Sequence, residues 1–279
     1  MMNRYIVWNV VLSVAAAGCG AAAEDPEAVG EADLELVGDN ALSPNALNPN
    51  ALSPNALSPN ALSPNALSPN ALSPNALAAI TNPDYAGALS RQLLRYAVGC
   101  AFNPTQSFSH TWTDSAGTEH FETYPGLLGI APTWATQPLN LDKQQLISAC
   151  LAGRTNWYGA SVVISMRSHN SPLKTLATPE EVAAYPNVEG GFWGNLFAAS
   201  PYVRACYNDS TVDHSRSYLR ECAAGHLNPD QTISTCGMIA IIGSCNTHCS
   251  TLHTTGQFYP DCTDPVDGKT SNMVTIALP

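Results

Sequence analysis

Apolar and polar residues alternate at helical spacing in two long segments that follow residue 83. The first, DYAGALSRQLLRYAVGC, begins at a helix-capping residue, Asp84, and the second, LNLDKQQLISACLAGRTN, places Cys150 on its apolar side. Capping signals predict two shorter helices. TPEE offers Thr178 as the cap, a proline at the first helical position and Glu181 to close a capping box. DHSRSYLRECAAG begins at Asp213 and ends near Gly225.

Runs of β-branched and aromatic residues predict strands between these helices. The candidate strands are QSFSHTWT, EHFETY, ASVVISMR, GFWGNLF, GMIAIIG and NMVTIAL. Helices and strands are mixed without the regular alternation that builds a parallel sheet, so the pattern predicts a single α+β domain over residues 80–279. A segment of this length is ample for one hydrophobic core.

The N-terminal pattern is different and predicts export. Arg4 precedes the apolar run YIVWNVVLSVAAA, and AAGC ends at Cys19. The run is too short to cross a bilayer, which takes ~20 apolar residues, so residues 1–18 read as a lipoprotein signal peptide. Cys19 would then carry the lipid (diacylglycerol and palmitate) and anchor the protein in the bacterial cell envelope, with the outer membrane as the expected site. Ala16 stands where such signals usually carry leucine, which leaves plain secretion as the alternative.

Between the signal and the domain lie an acidic linker, residues 19–39, and a five-residue repeat, residues 40–77. Seven complete copies of Asn-Ala-Leu-(Ser/Asn)-Pro are followed by a truncated one. Each copy carries a proline, which cannot donate a backbone hydrogen bond and would interrupt a repeat β-helix once per face. The repeat is therefore predicted to be a disordered, extended tether, with weak self-association or recognition by a sorting partner as alternatives.

Cysteine usage and charge narrow the possible functions. Eight cysteines follow Cys19, and an even number in an exported chain predicts four disulfides of unassigned pairing; they are Cys100, Cys150, Cys206, Cys222, Cys236, Cys245, Cys249 and Cys262. The formal net charge of −11 makes nucleic acid an unlikely partner, because phosphate backbones would be repelled. Charged residues make up only 12% of the chain, so the cysteine-rich part should have a real core.

Five segments of the domain resemble a known group of proteins. They are similar to uncharacterised, cysteine-rich lipoproteins of myxobacterial type. The segments are LLRYAVGCAF, HFETYPGLLGIAPTW, LISACLAGRTNWYGASVVISMR, GGFWGNLF and CGMIAIIGSCNTHC. The resemblance implies envelope localisation and disulfides. It brings no established activity, fold or catalytic residue.

The candidate chemistry lies in a predicted hairpin. The tip Asp-Ser-Ala-Gly suits a turn with a left-handed Gly117, and the resulting register pairs His110 with Glu122 and Trp112 with His120. His110, His120 and Glu122 would share one face, where two imidazoles and a carboxylate are plausible zinc ligands for hydrolysis. A one-residue slip would separate the two histidines. A structural His–Glu pair among packed aromatics is the alternative.

Three further motifs contain residue types suited to a binding site. CNTHCSTLH, Cys245 to His253, has metal-ligand residue types, but exported cysteines favour disulfides. DCTDPVDG spaces its aspartates Asp261, Asp264 and Asp267 by three, whereas calcium loops alternate ligands at spacing two, so an acidic turn is favoured. EGGFWGNLF offers Phe192, Trp193 and Phe197 either as a platform for a sugar or peptide or as core residues.

The sequence thus predicts a lipid-anchored envelope protein that presents a disulfide-rich domain for binding an unknown protein or carbohydrate. No cofactor is expected. The alternative is a metal-dependent hydrolase, with zinc held by the hairpin residues, and a purely structural envelope component is a third class. The usual nucleophile elbow, HExxH, phosphate-loop and dinucleotide signatures are absent from the sequence. Neither the partner nor the oligomeric state follows from the sequence.

Overall fold

Helices and strands are mixed along the whole domain, as the sequence predicts. The computed structural model describes Leu67, Leu72 and residues 74–279 apart from positions 161, 171, 177, 267 and 269. The helices are α1 Pro74–Thr81, α2 Tyr85–Ala101, α3 Leu141–Gly153, α4 Leu173–Leu176, α5 Pro179–Ala184, α6 Val212–Ser217 and α7 Cys245–His248, with a 3₁₀ turn at Pro132–Ala135. The strands are β1 Ser107–Thr113, β2 Glu119–Pro125, β3 Ser165–Arg167, β4 Asn187–Asn195, β5 Tyr202–Tyr207, β6 His226–Leu227, β7 Ile233–Ser234, β8 Ile239–Ser244, β9 Cys262–Thr263, β10 Thr270–Ser271 and β11 Met273–Leu278.

The central sheet has five strands in the order β3-β11-β4-β5-β8. Its pairs are antiparallel except for β5 and β8, which run parallel. Helix α3 packs on β4 and β11, and α2 packs on α3, so the main core lies between the sheet and this helix pair. The Cys100–Cys150 disulfide joins the two helices inside that core.

The capping signals locate two helix starts correctly. The carboxylate of Asp84 accepts a hydrogen bond from the Gly87 amide at 3.0 Å, and the Thr178 hydroxyl accepts one from the Glu181 amide at 3.2 Å. The capping box at α5 differs from expectation, because the Glu181 carboxylate accepts its hydrogen bond from Ser165 of β3. A local capping signal can thus be redirected by a tertiary partner.

The helix predicted over residues 213–225 is wrong in length. Helix α6 ends at Ser217, its cap position is Thr211 rather than Asp213, and Leu219 adopts a positive φ of 59°. That backbone turn sends Arg220 into the core, where its Nη2 lies 3.0 Å from a carboxylate oxygen of Glu189 on β4. Arg220 also donates hydrogen bonds to the carbonyls of Thr155 and Gly153, at the end of α3. A buried ion pair therefore replaces the continuation of the helix.

The strand predictions are confirmed in part. Strands β1, β2, β4, β8 and β11 overlap their predicted segments, whereas β3 covers only the last three residues of ASVVISMR. Strand β5, which lies between β4 and β8, was not among the predicted strands. Its buried Val203 and Ala205 alternate with Tyr202 and Arg204, and this period of two is short and built partly from a small residue.

Leu67, Leu72 and the residues from Pro74 onward contact the domain, although they lie within or next to the predicted tether, residues 40–77. Leu67 is only 2% exposed, and its amide donates a hydrogen bond to the Trp134 carbonyl at 2.6 Å. Leu72 packs on the core, and α1 begins at the proline of the seventh repeat. The predicted signal peptide, acidic linker and earlier repeats lie outside the described residues.

Replacing Leu67 with alanine is expected to lower the free energy of unfolding by about 2 kcal/mol, the lower end of the usual range for a buried leucine. The matched control is Leu77→Ala, because Leu77 holds the same position in the repeat but is 42% exposed. The Leu77→Ala variant should lose less than about 0.5 kcal/mol of its free energy of unfolding. Denaturant unfolding of both full-length variants checks this. Equal losses would mean that the buried position of Leu67 contributes no stability.

All eight cysteines of the domain lie in disulfides, as predicted, and the pairing that the sequence left open is now defined. The pairs are Cys100–Cys150, Cys206–Cys245, Cys222–Cys236 and Cys249–Cys262. Within the described part of the chain, the helices are too short or too polar to cross a membrane.

Candidate functional site

The β1–β2 hairpin has the register that the sequence predicts. His110 lies opposite Glu122, Trp112 opposite His120 and Phe108 opposite Tyr124. The turn is fixed by the Asp114 carboxylate, which accepts hydrogen bonds from the amides of Ala116 and Thr118 at 2.9 and 2.8 Å. Gly117 has φ of 84°, a left-handed conformation that glycine adopts without a steric cost. The predicted side-chain alternation is therefore confirmed.

One face of the hairpin packs against helix α2. Phe108, His110 and Tyr124 are buried, and Trp112, His120 and Glu122 are partly exposed further along the same face. Arg91 of α2 lies over the Trp112 ring with its guanidinium carbon 3.6 Å from the ring centroid. This cation–π contact and the hydrogen bonds from Arg91 to the carbonyls of Ile80 and Asn82 join the hairpin to both N-terminal helices.

Glu122 is held by several partners on that face. Trp112 donates its indole N–H to Oε1 at 2.6 Å, Tyr124 donates its hydroxyl to Oε2, and Arg91 Nε lies 3.9 Å from Oε1. Burial by itself raises the pKa of Glu122, but these hydrogen bonds and nearby positive charge hold it below its usual value. Burial and the Glu122 carboxylate raise the pKa of Tyr124, which keeps its hydroxyl a donor. Glu122 is thus an ionised acceptor with both oxygens engaged.

The two histidines have different partners. His110 Nε2 lies 3.1 Å from the Tyr124 hydroxyl, and burial lowers the pKa of His110, so its ring is neutral at pH 7. His120 stacks on Trp112 with ring centroids 4.4 Å apart, and its Nε2 lies 3.0 Å from the Asp114 carboxylate. The hydrogen bond from His120 lowers the pKa of Asp114. The sequence analysis did not assign Asp114, Arg91 or Tyr124 to this cluster.

These contacts bear on the predicted zinc ligands His110, His120 and Glu122. The three residues share one face as expected, but their potential ligand atoms are engaged by Tyr124, Trp112 and Asp114. Among the described residues, Cys206, Cys249 and Cys262 form the only group of three or more side chains whose potential ligand atoms all lie within 4.8 Å of one another, and all three are oxidised. Zinc binding by the hairpin would require rearrangement of these side chains and stays a prediction.

Acidification is expected to lower the free energy of unfolding in two steps, through His110 and Glu122 of the hairpin. His110 and Glu122 both have pKa values lower in the folded protein than their ordinary values of 6.5 and 4.5. The unfolded chain therefore binds protons more strongly, and stability falls with pH, first below about 6.5 and then below about 4.5. Denaturant unfolding between about pH 8 and 4 checks this in the full chain. Glu122→Gln should remove the lower step; a variant as acid-sensitive there as the wild type would contradict the assignment.

The two other motifs with metal-ligand residue types make structural contacts, in line with the disulfides and the acidic turn that the sequence favours. Cys245 and Cys249 are in disulfides, and the His253 ring stacks on Phe258 while its Nδ1 accepts a hydrogen bond from the Gly256 amide at 3.1 Å. In the acidic turn, Asp264 is buried against Arg204 at 3.2 Å. Asp261 is exposed, and Asp267 lies outside the described residues. Asp264 thus serves a structural ion pair.

The sequence leaves two interpretations of Phe192, Trp193 and Phe197, a possible ligand platform and core packing, and their burial supports core packing. Phe192 and Trp193 are completely buried on β4, in the middle of the central sheet, because both faces of this strand are covered. Phe197 is half-buried and meets Trp134 edge to face at 5.7 Å. These residues are part of the core rather than of a surface, which is the alternative that the sequence left open.

Sequence reasoning missed a second histidine cluster. The Trp157 ring stacks on His226 with centroids 4.4 Å apart, and His226 Nδ1 is hydrogen-bonded to the Glu221 carboxylate. Tyr158 meets the His226 ring edge to face, and burial followed by the charge of Glu221 raises its pKa. The residues come from two segments more than sixty positions apart, so no local pattern could have joined them. The cluster joins the β6–β7 ribbon to the segment after α3.

Comparison of the chain with protein-family models, curated proteins and solved structures found no match, so its resemblance to cysteine-rich lipoproteins stays a prediction from sequence.

Proposed function

We propose that the protein is a lipid-anchored component of the bacterial cell envelope, in which the repeat segment presents a disulfide-stabilised α+β domain for binding. The observation that carries this proposal is the pairing of all eight domain cysteines into four disulfides. Disulfides of this density form and persist in oxidising compartments outside the cytosol. The charged N-terminal region, the short apolar run and the AAGC box that ends at Cys19 support the same localisation.

The outward face of the β1–β2 hairpin is the proposed binding surface. Phe121 is 72% exposed at its centre, opposite Thr111, and Ser109 and Thr123 form a cross-strand hydroxyl pair at 2.9 Å. An exposed aromatic ring among hydroxyl groups suits a ligand with apolar faces and polar edges, such as a carbohydrate. The opposite face supports this role by fixing the hairpin on α2 through Arg91, Glu122 and Tyr124.

The anchor is tested by replacing Cys19 with serine in the full-length protein. Wild type should sediment with membranes and carry a lipid-modified N-terminus in its mass spectrum. The variant should move to the soluble fraction with its domain disulfides intact. Cys222→Ser serves as the control, since it also removes one cysteine but leaves the anchor unchanged. Equal membrane retention of wild type and Cys19→Ser would overturn the lipid-anchor proposal.

A metal-dependent hydrolase is the second candidate, favoured by one observation: the confirmed register places His110, His120 and Glu122 on the same face. The two functions respond differently to metal removal. Hydrolysis would disappear on chelation and in His120→Ala, whereas binding through the outward face would survive both and be lost in Phe121→Ala. Purified full-length protein without stoichiometric zinc would end the hydrolase candidate.

A further inference from the structure

Two of the disulfides are in contact with each other. Cys206 of β5 pairs with Cys245 at the start of α7, and Cys249 at the end of α7 pairs with Cys262 of β9. The Sγ atoms of Cys206 and Cys249, which belong to different disulfides, lie 3.4 Å apart. This separation is close to van der Waals contact. Four sulfur atoms therefore form one cluster rather than two isolated bridges.

The neighbouring backbone leaves room for this cluster. Gly191 of β4 lies opposite Cys206, and a Cβ atom at this glycine would come within 3.3 Å of Cys206 Sγ and 2.4 Å of Met273 Cε. Met273 in turn places its sulfur 3.2 Å from Cys262 Sγ. The surroundings are thus apolar and tightly packed on the inner side, where Cys206, Cys245 and Cys262 are buried.

The outer side of the cluster is open at one cysteine. Cys249 is half-buried and lines an open cleft of about 510 Å³, together with Thr247, His248, Ser250, Asp261 and Thr263. The cleft walls are mainly polar. A thiol reagent can therefore approach Cys249 from solvent, whereas Cys206, Cys245 and Cys262 are buried.

We propose that Cys206, Cys245, Cys249 and Cys262 form a thiol–disulfide exchange unit with two alternative pairings, which reacts with a dithiol reductant through Cys249. A thiolate of the reductant attacks Cys249 Sγ, the Cys249–Cys262 bond breaks, and Cys262 leaves as a thiolate. The second thiolate of the reductant then attacks its own mixed disulfide. This step releases the Cys249 thiolate and the oxidised reductant.

The second stage takes place inside the protein. The Cys249 thiolate attacks Cys206 Sγ, a new Cys206–Cys249 bond forms, and Cys245 leaves as a thiolate. The reductant has supplied two electrons and two protons, which end on the sulfurs of Cys262 and Cys245, and the internal stage changes no oxidation state. The outcome is a protein with one of these two disulfides, in a pairing different from the original.

The test removes one partner of each of two disulfides that close loops of similar length. Cys262→Ser frees Cys249 next to the Cys206–Cys245 disulfide, and the matched control Cys236→Ser frees Cys222. The sequence separation is 13 for Cys249–Cys262 and 14 for Cys222–Cys236. Full-length proteins are quenched in acid, alkylated and mapped by mass spectrometry. In Cys262→Ser we expect at least about a tenth of the free thiol at Cys245, together with a Cys206–Cys249 linkage. In the control, the free thiol should stay at Cys222.

Wild-type protein provides the second measurement, in case either variant fails to fold. Reduction with one equivalent of dithiothreitol without denaturant, followed by the same quench, should yield a Cys206–Cys249 linkage while Cys100–Cys150 stays intact. Finding only native pairs and their reduced forms would overturn the proposal. Linkages that involve Cys100 or Cys222 would overturn it as well, since general scrambling does not depend on contact between the two disulfides.

Discussion

Replacing Arg220 with methionine is expected to lower the free energy of unfolding by about 3–5 kcal/mol, the usual cost of removing one partner from a buried ion pair. The side chains of Arg220 and Glu189 are 0% and 1% exposed, and Arg220 donates to Glu189, Thr155 and Gly153. Methionine would leave the Glu189 carboxylate buried without its counter-charge. Burial raises the pKa of Glu189 and Arg220 opposes this, so the variant should lose less stability at acidic pH, where Glu189 is neutral.

Two comparisons separate this effect from the loss of any arginine. Arg216→Met removes an ion pair with one partner in solvent: the Arg216 side chain is 25% exposed, and it lies 3.8 Å from an Asp213 carboxylate that is fully exposed, so the change should cost less than about 1 kcal/mol. Glu189→Leu combined with Arg220→Met should recover part of the loss, because neither buried charge remains. Denaturant unfolding at about pH 7 and pH 5 measures all four proteins. A loss in Arg220→Met no larger than in Arg216→Met would refute the role given to this pair.

Removing the Cys100–Cys150 disulfide is expected to be the second large effect, at about 4 kcal/mol when both residues become alanine. The bridge closes a loop with a sequence separation of 50, and it joins α2 to α3 in the core. The longer the closed loop, the more conformational freedom the unfolded chain regains on its removal. Thermal or denaturant unfolding under non-reducing conditions measures the loss.

The Cys222–Cys236 bridge is the control for this prediction. Its sequence separation is 14, and removal by two alanines should cost about 3 kcal/mol by the same relation. The difference between the two pairs should therefore be about 1 kcal/mol in favour of Cys100–Cys150. The reverse order would show that loop length does not determine the contribution of these disulfides.

Structural features were predicted correctly from the sequence where neighbouring residues determine them. The Asp-Ser-Ala-Gly tip specified both turn and register, so the pairing of His110 with Glu122 followed from counting residues. Asp84 and Thr178 likewise located helix starts, because capping depends on only the next three residues. Disulfide formation followed from the even cysteine count together with the predicted export of the chain.

Sequence reasoning failed where distant residues decide the structure. It continued α6 to Gly225 because nothing local shows that Arg220 turns inward to meet Glu189, 31 positions away. The burial of Leu67 depends on the Trp134 carbonyl, a partner that the repeat itself does not indicate. In the hairpin, the faces were predicted correctly, but Arg91, Trp112 and Tyr124 were not foreseen as the partners that engage Glu122. Metal-ligand residue types on one face are thus insufficient to define a metal site.

The most direct test of the central claim is a free-thiol count with disulfide mapping, on full-length protein recovered from the cell envelope without reductant. An exported, disulfide-stabilised domain predicts no reactive thiol among its eight cysteines and the pairs Cys100–Cys150, Cys206–Cys245, Cys222–Cys236 and Cys249–Cys262. Several reactive thiols in the folded protein would contradict the oxidising compartment. The envelope localisation and the proposed binding function would then lose their main support.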